Sequence, residues 1–388
     1  MTKKQIIRAL SYLLVAVITA TLTVAVLLPV SGVLGRYSKL QQLEALILER
    51  FVDGADQKTL EDAAAYAMID ALGDRWSYYM TAEENEAHQE QQNNAYVGIG
   101  VTINRESVQE GLVIVAVVPD GPADAAGLLP GDVIVAVDGQ SILGENTAQV
   151  QAAIKGKEGT SVQITYRRGA EELSVTVVRA TVKTPVAEAK LLSGNIGLVT
   201  IANFNANCAQ ETKSAIQQML DAGAEKLIFD VRNNPGGRVT ELVSVLDYLL
   251  PEGVLFRSTD YKGVEEEERS DAACLEIPMA VLVNGNSYSA AEFFAAALQE
   301  YQWATVVGEK TVGKGNFQIT YTLHDGSAVG LSVGKYFTPQ GKHLEGEGIQ
   351  PDVEVSVDAQ TAAKIYAGTI EPEKDPQLQS AINALTEE

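Results

Sequence analysis

The sequence predicts a multidomain chain, part β-rich and part α/β, standing behind an N-terminal apolar helix and a short helical region. Three observations predict it. Residues 9–35 carry no charge, residues 96–181 break into short β segments separated by glycine turns, and from about residue 185 strands alternate with helices. At 388 residues the chain exceeds one ordinary core, because domains run to about 100–200 residues. With 46% hydrophobic residues and only 12 Pro, it has the material for packed cores rather than disorder.

The first expected element is residues 1–36, a cytoplasmic tip and transmembrane anchor. Lys3, Lys4 and Arg8 precede the uncharged run. A spanning helix needs about 20 apolar residues, whereas a secretory signal's apolar region is about 7–15. The basic flank holds the N-terminus in the cytoplasm and places everything after Arg36 outside it. A cleaved signal peptide is the rival reading, since Thr, Ser, Pro29 and small residues fall within the run. Both readings make the domains extracytoplasmic.

Residues 37–95 are expected to be helical. Leu40, Leu43 and Ile47 recur at helical spacing, as do Leu60, Ala64, Ala67, Met68 and Ala71 before Gly73. These stripes can pack on each other or on a second copy of the chain, which would make a homodimer. In residues 96–181 the segments at 113–118, 133–137, 162–166 and 173–178 read as strands, and 147–154 as one helix. Val162, Ile164 and Tyr166 would share a face, as would Leu173, Val175 and Val177. Residues 182–368 alternate strand and helix through IGLVTI, KLIFDV, MAVLVN and ATVVGE, a βα-layered core. Residues 369–388 close with a helix near 377–385.

Charge narrows the function. A formal net charge of -22 repels phosphate backbones, so a nucleic-acid partner is not expected. Cys208 and Cys274 allow one disulfide or two free thiols. His88, His324 and His343 are scattered without zinc spacing, so no metal or cofactor is expected.

Three segments carry chemistry. In the first, an apolar strand ends at Asn284, the turn GNSYS follows, and a helix begins directly. Ser289 then sits at a helix N-terminus, where unpaired backbone N–H groups stabilise an oxyanion. Serine is also a favoured helix cap, and Ser287 competes for either role. The second segment places Lys314 between Gly313 and Gly315, with Lys310 as a nearby rival. A free lysine titrates near about 10.4, so service as a base at neutral pH requires burial in an apolar pocket. The third is the strand-to-turn FDVRNNPGG at 229–237, which exposes backbone N–H groups or simply forms a turn.

Together these segments resemble the carboxyl-terminal processing proteases, also called tail-specific proteases, from about residue 54 to the end. Asn-Pro-Gly-Gly at 234–237, the Ser-x-Ser-Ala-x-Glu run at 287–292 and Gly-Lys-Gly at 313–315 carry the resemblance. It implies a serine-lysine endopeptidase with Ser289 as nucleophile, Lys314 as base and Gln318 orienting the lysine. Backbone N–H groups of Gly236 and Ala290 would form the oxyanion hole. Tyr288 and Ala291 depart from the family's alanine and serine.

Residues 121–139 resemble the family's PDZ signature, and residues 96–101, YVGIGV, its carboxylate-binding loop. Ile99, Gly100 and Val101 would cradle a peptide's terminal carboxylate, with the peptide adding beside the adjoining strand. Residues 341–355 resemble the closing segment, which makes His343 structural. The resemblance thus implies substrates with free C-termini, a bacterial envelope setting and a single-pass cell-membrane location. A membrane-tethered PDZ binding protein with a silent protease core is the alternative. A protease acting on a regulatory envelope protein shares the same chemistry.

Overall fold

The computed structural model describes residues 12, 14–19, 38–104, 111–144 and 147–386. Apart from residues 12 and 14–19, the expected anchor lies outside them. Among the described residues no helix is long and apolar enough to cross a membrane. The chain divides into two compact units, Met1–Tyr79 and Met80–Glu388.

The first unit holds α1 (Ser38–Arg50) and α2 (Gln57–Asp70), the two helices expected there. Asp56 caps α2 by accepting the Thr59 N–H at 2.8 Å. No residue of α2 is buried, and Leu40, Leu43, Leu46, Met68 and Leu72 are exposed.

The second unit begins with α3 (Ala82–Asn93), whose Thr81 and Glu84 form a reciprocal capping box. A two-stranded ribbon of β1 (Ala95–Gly98) and β7 (Ala180–Lys183) brackets a small β domain. Within it run β2 (Val101–Ile103), β3 (Leu112–Val117), β4 (Val133–Val137), β5 (Ser161–Arg168) and β6 (Glu171–Val178), neighbours in that order and all antiparallel. Helix α4 (Thr147–Ile154) closes the domain, which also carries one short helical turn at Pro122–Ala125. Val162, Ile164 and Tyr166 are buried together, and Leu173, Val175 and Val177 join the same cluster. Strand alternation therefore puts the predicted faces inward.

The core that follows is a six-stranded sheet of β8 (Ala187–Leu192), β9 (Ile196–Ile201), β10 (Lys226–Asp230), β13 (Met279–Val283), β14 (Ala304–Gly308) and β17 (Val353–Glu354), in that spatial order. Only β8 runs antiparallel to its neighbour. Helices α5 (Cys208–Asp221), α6 (Val239–Leu249) and α7 (Ala290–Glu300) cover one face against Val199, Phe229, Val281 and Val306. The other face, with Ile228, Ala280 and Leu282, packs against Leu378, Ala381 and Leu385 of α9 (Pro376–Thr386), which follows α8 (Ala359–Tyr366). Every residue of β13 is buried, as befits a central parallel strand covered on both sides. Each fully buried Phe or Leu stabilises the fold by about 1.5–3 kcal/mol.

A second, antiparallel sheet joins β11 (Gly253–Asp260), β12 (Glu265–Ser270), β15 (Asn316–Thr322) and β16 (Ala328–Phe337), with β16 paired to both β15 and β11. The topology explains why three distant sequence segments meet. Strands β10, β13 and β14 are consecutive and parallel, so the loops after them leave the same edge of the sheet. Those loops are the Asn-Asn-Pro-Gly-Gly turn, the serine loop and the lysine loop.

Candidate active site

The serine loop is stapled from below by Ser287. Its buried Oγ donates to the Val231 carbonyl at 2.7 Å and accepts the Asn284 N–H at 3.1 Å. Asn284 Oδ1 in turn accepts the Asn233 N–H at 2.9 Å, joining the loop to the neighbouring turn. Ser287 is therefore a structural residue.

Ser289 stands differently. It immediately precedes α7 with φ 58° and ψ -126°. A helix cap ordinarily adopts β-region angles, and an L-residue held where Ser289 is stores about 1–3 kcal/mol of strain. A cap alone does not require this. A sharp strand-to-helix turn that lifts a nucleophile clear of its sheet does.

The glycine turn closes against this serine. Gly236 has φ 86°, and a Cβ there would come within 2.8 Å of the Ala290 nitrogen, Ser289 Cβ and the Tyr288 carbonyl oxygen. Buried Asn234 shapes the turn, donating to the Ile201 carbonyl at 2.8 Å and accepting the Gly236 N–H at 2.8 Å. The Gly236 donor expected for an oxyanion is thus turned to Asn234 Oδ1. Ala290 is the first residue of α7, where backbone N–H groups lack intrahelical acceptors.

Lys314 arrives on a loop locked by its glycines. Cβ atoms on Gly313 and Gly315 would meet the Gly348 nitrogen at 2.8 Å and the Glu345 nitrogen at 2.5 Å. The closing segment of residues 341–355 therefore packs directly against this loop. The Lys314 side chain is half-buried, whereas the rival Lys310 is exposed. Lys314 Nζ lies 5.9 Å from the ring centroid of Tyr288, within reach of a cation–π contact. Burial pushes the Tyr288 phenol above its ordinary pKa. Gln318, on β15, donates from its amide nitrogen to the Asn316 carbonyl at 3.1 Å and to Ser332 Oγ at 3.0 Å, so those bonds go to the sheet and not to Lys314.

One residue ties the two loops together, and sequence reasoning read it only as the end of a motif. Glu292, in the first turn of α7, is fully buried. Its Oε2 accepts the Ser289 N–H at 2.9 Å and the Lys314 N–H at 2.8 Å. Its Oε1 accepts Thr311 Oγ1 at 2.5 Å and the Gly313 N–H at 2.7 Å. The backbone nitrogens of Ser289 and Lys314 can stand no further apart than two hydrogen bonds end to end. A buried carboxylate is tolerated because four donors replace its water.

Behind the glycine turn, Arg232 bridges Asp230 at 2.6 Å and Asp375 at 2.8 Å, fastening the approach of α9 to the end of β10. Burial alone would lower the guanidinium's pKa, but the two carboxylates more than offset it and hold it raised. Both cysteines are free, and burial pushes the Cys208 thiol up to about 12. Among the described residues no group of His, Cys, Asp or Glu is arranged to hold a metal ion.

In the β domain, Ile99, Gly100 and Val101 line a cavity of about 650 Å³ together with Gln151, Ile154 and Pro235. The expected carboxylate loop therefore opens toward the proline of the glycine turn.

A helix-start serine on a strained backbone at the carboxyl edge of a parallel sheet is the placement of a hydrolase nucleophile, and the β domain before it carries a cavity that opens toward the glycine turn. Two domain profiles match: peptidase family S41 over residues 195–355 and the PDZ domain over residues 113–168. A CtpA-like serine protease of Staphylococcus haemolyticus is 32% identical over 354 residues, covering 88% of this chain and 71% of its own. The chain belongs to peptidase family S41. Among solved structures, the photosystem II D1 C-terminal processing protease is 28% identical, with 78% of this chain and 83% of that one covered at a TM-score of 0.47. An S41 protease from Bacteroides fragilis NCTC 9343 shares the fold at 16% identity, with 83% and 90% covered and a TM-score of 0.51.

Proposed function

We propose that Ser289 and Lys314 form the catalytic dyad of a C-terminal processing endopeptidase, whose PDZ domain presents extracytoplasmic proteins or peptides by their C-termini. The observation that carries this reading is the shared Glu292 oxygen, which sets the Ser289 and Lys314 backbones side by side. Neutral Lys314 takes the proton from Ser289 Oγ as that oxygen attacks the scissile carbonyl carbon. The proton passes to the leaving amine as the peptide bond breaks, and water then releases the acyl-enzyme.

The Ala290 N–H faces the developing oxyanion, joined by the Gly236 N–H once it leaves Asn234 Oδ1. Gln318 retains its amide oxygen to accept from the lysine, since its nitrogen is engaged elsewhere. Ile99, Gly100 and Val101 receive the terminal carboxylate.

Upstream, the uncharged run at 9–35 behind Lys3, Lys4 and Arg8 tethers the enzyme to the cell membrane of a bacterial envelope as a single span. The exposed leucines of α1 support self-association of two chains. The dyad is tested by Ser289→Ala and Lys314→Ala, each of which should abolish peptide cleavage in a folded protein. Full activity in either variant refutes it.

A further inference from the structure

The cavity at the carboxylate loop has a charged wall that peptide presentation by backbone N–H groups leaves unexplained. Lys155 directly follows α4, and its Nζ lies 2.5 Å from Glu90 Oε2 and 5.6 Å from the ring centroid of Tyr96. Glu90, Tyr96 and Lys155 all line the cavity alongside Ile99, Gly100 and Val101. The two ends of the ion pair belong to different parts of the unit. Lys155 is carried by the β domain, its N–H donating to the Gln151 carbonyl at 2.8 Å.

Glu90 is carried by α3, and the protease core holds α3. Asn205 Nδ2 donates to the Gln91 carbonyl at 3.1 Å, the Ala206 N–H to the Gln92 carbonyl at 3.1 Å, and Arg238 to Asn93 Oδ1 at 2.9 Å. Glu90 is therefore a carboxylate that the core holds at the mouth of a carboxylate-binding loop.

We propose that Lys155 is a subsite for the terminal carboxylate of an extended peptide, and that Glu90 occupies this subsite in the free enzyme. The proposal rests on the presentation of C-termini by the PDZ domain and adds the residue that reads the charge. Backbone N–H groups donate to a carboxylate or an amide oxygen alike, whereas an ammonium strongly favours the carboxylate. An incoming C-terminus exchanges one carboxylate for another on Lys155, so the ammonium stays paired while Glu90 is released to solvent. Glu90 lowers the affinity for every free carboxylate terminus, whereas an amidated peptide has no charge with which to displace it and does not enter the subsite.

Binding is read with a fluorescent peptide ending in a free carboxylate and with its amidated twin, on full-length Ser289→Ala protein. Glu90→Gln should tighten the carboxylate peptide about two- to five-fold, the range expected of a partly exposed ion pair, and leave the amide unchanged. Lys155→Met should weaken the carboxylate peptide, and Glu90→Gln added to Lys155→Met should then do nothing further. If neither variant alters binding while the parent still prefers the carboxylate, the Lys155 subsite is overturned and PDZ presentation stands. Equal binding of both peptides to the parent and every variant overturns both.

Discussion

Glu292→Gln isolates the clamp that sets serine against lysine. Four donors converge on the carboxylate: three backbone N–H groups and the Thr311 hydroxyl. The amide keeps one acceptor oxygen and turns a donor toward the other pair. With its nitrogen on the Oε1 side, the Thr311 hydroxyl can rotate to accept, but the Gly313 N–H is left facing another donor. With its nitrogen on the Oε2 side, both the Ser289 and Lys314 N–H groups lose their acceptor. The first arrangement is the less costly. One unsatisfied buried donor costs about 1–3 kcal/mol, so unfolding by urea should show a loss of about that size. Catalysis should suffer more than stability explains, because a displacement of about 1 Å between reacting groups costs on the order of 100-fold. The assay is kcat and KM on a peptide at a temperature where the variant is folded, and the loss should fall in kcat. A folded Glu292→Gln enzyme with kcat within about two-fold of the parent refutes the clamp.

Ser287→Ala removes a buried bond to the Val231 carbonyl, and chemical denaturation should record a loss of about 1–3 kcal/mol while measurable cleavage persists, in contrast to Ser289→Ala. Gly236→Ala drives a Cβ into Ser289 and Ala290, so kcat should drop on the order of 100-fold with peptide binding to the PDZ domain unchanged; a kcat near the parent's would contradict the packing. Burial alone would raise the Asp132 carboxyl, but the Arg168 guanidinium and the Leu129 N–H hold it below the ordinary carboxylate value. Its folded pKa being depressed, it adds stability above its unfolded value, about 3.9, that is lost as pH falls through the folded one. Asp132→Asn should therefore lower the melting temperature most near neutral pH and least in acid; a penalty that grows with acidity would reverse the assignment.

Much of this architecture is legible in the residues. The parallel core reads clearly because IGLVTI, KLIFDV and MAVLVN are apolar runs separated by helix-length segments. The β domain reads through its alternation. What reads less clearly lacks an apolar period. Helix α3, AEENEAHQEQQN, lies in the stretch expected to be helical, but with no apolar stripe its bounds are marked only by the capping pair Thr81 and Glu84. Strand β12 opens with four glutamates, all exposed, and so shows no buried face to betray it. In the site, the chemistry-bearing segments are evident, but Ser287 and Ser289 are separated only by burial and backbone angle, which no local pattern encodes. Glu292 is hidden for a related reason: its partners come from residues 289 and 311–314, and contacts across a helix and a strand leave no spacing to recognise.

The backbone at position 289 carries a consequence for what this fold becomes without its chemistry. Glycine adopts such angles without penalty, so a receptor built on the same scaffold gains about 1–3 kcal/mol by placing glycine there. A Ser289→Gly variant, which has no hydroxyl to attack with, would thus be the thermodynamically relaxed molecule. The cutting one holds its hydroxyl in a posture the chain would otherwise abandon.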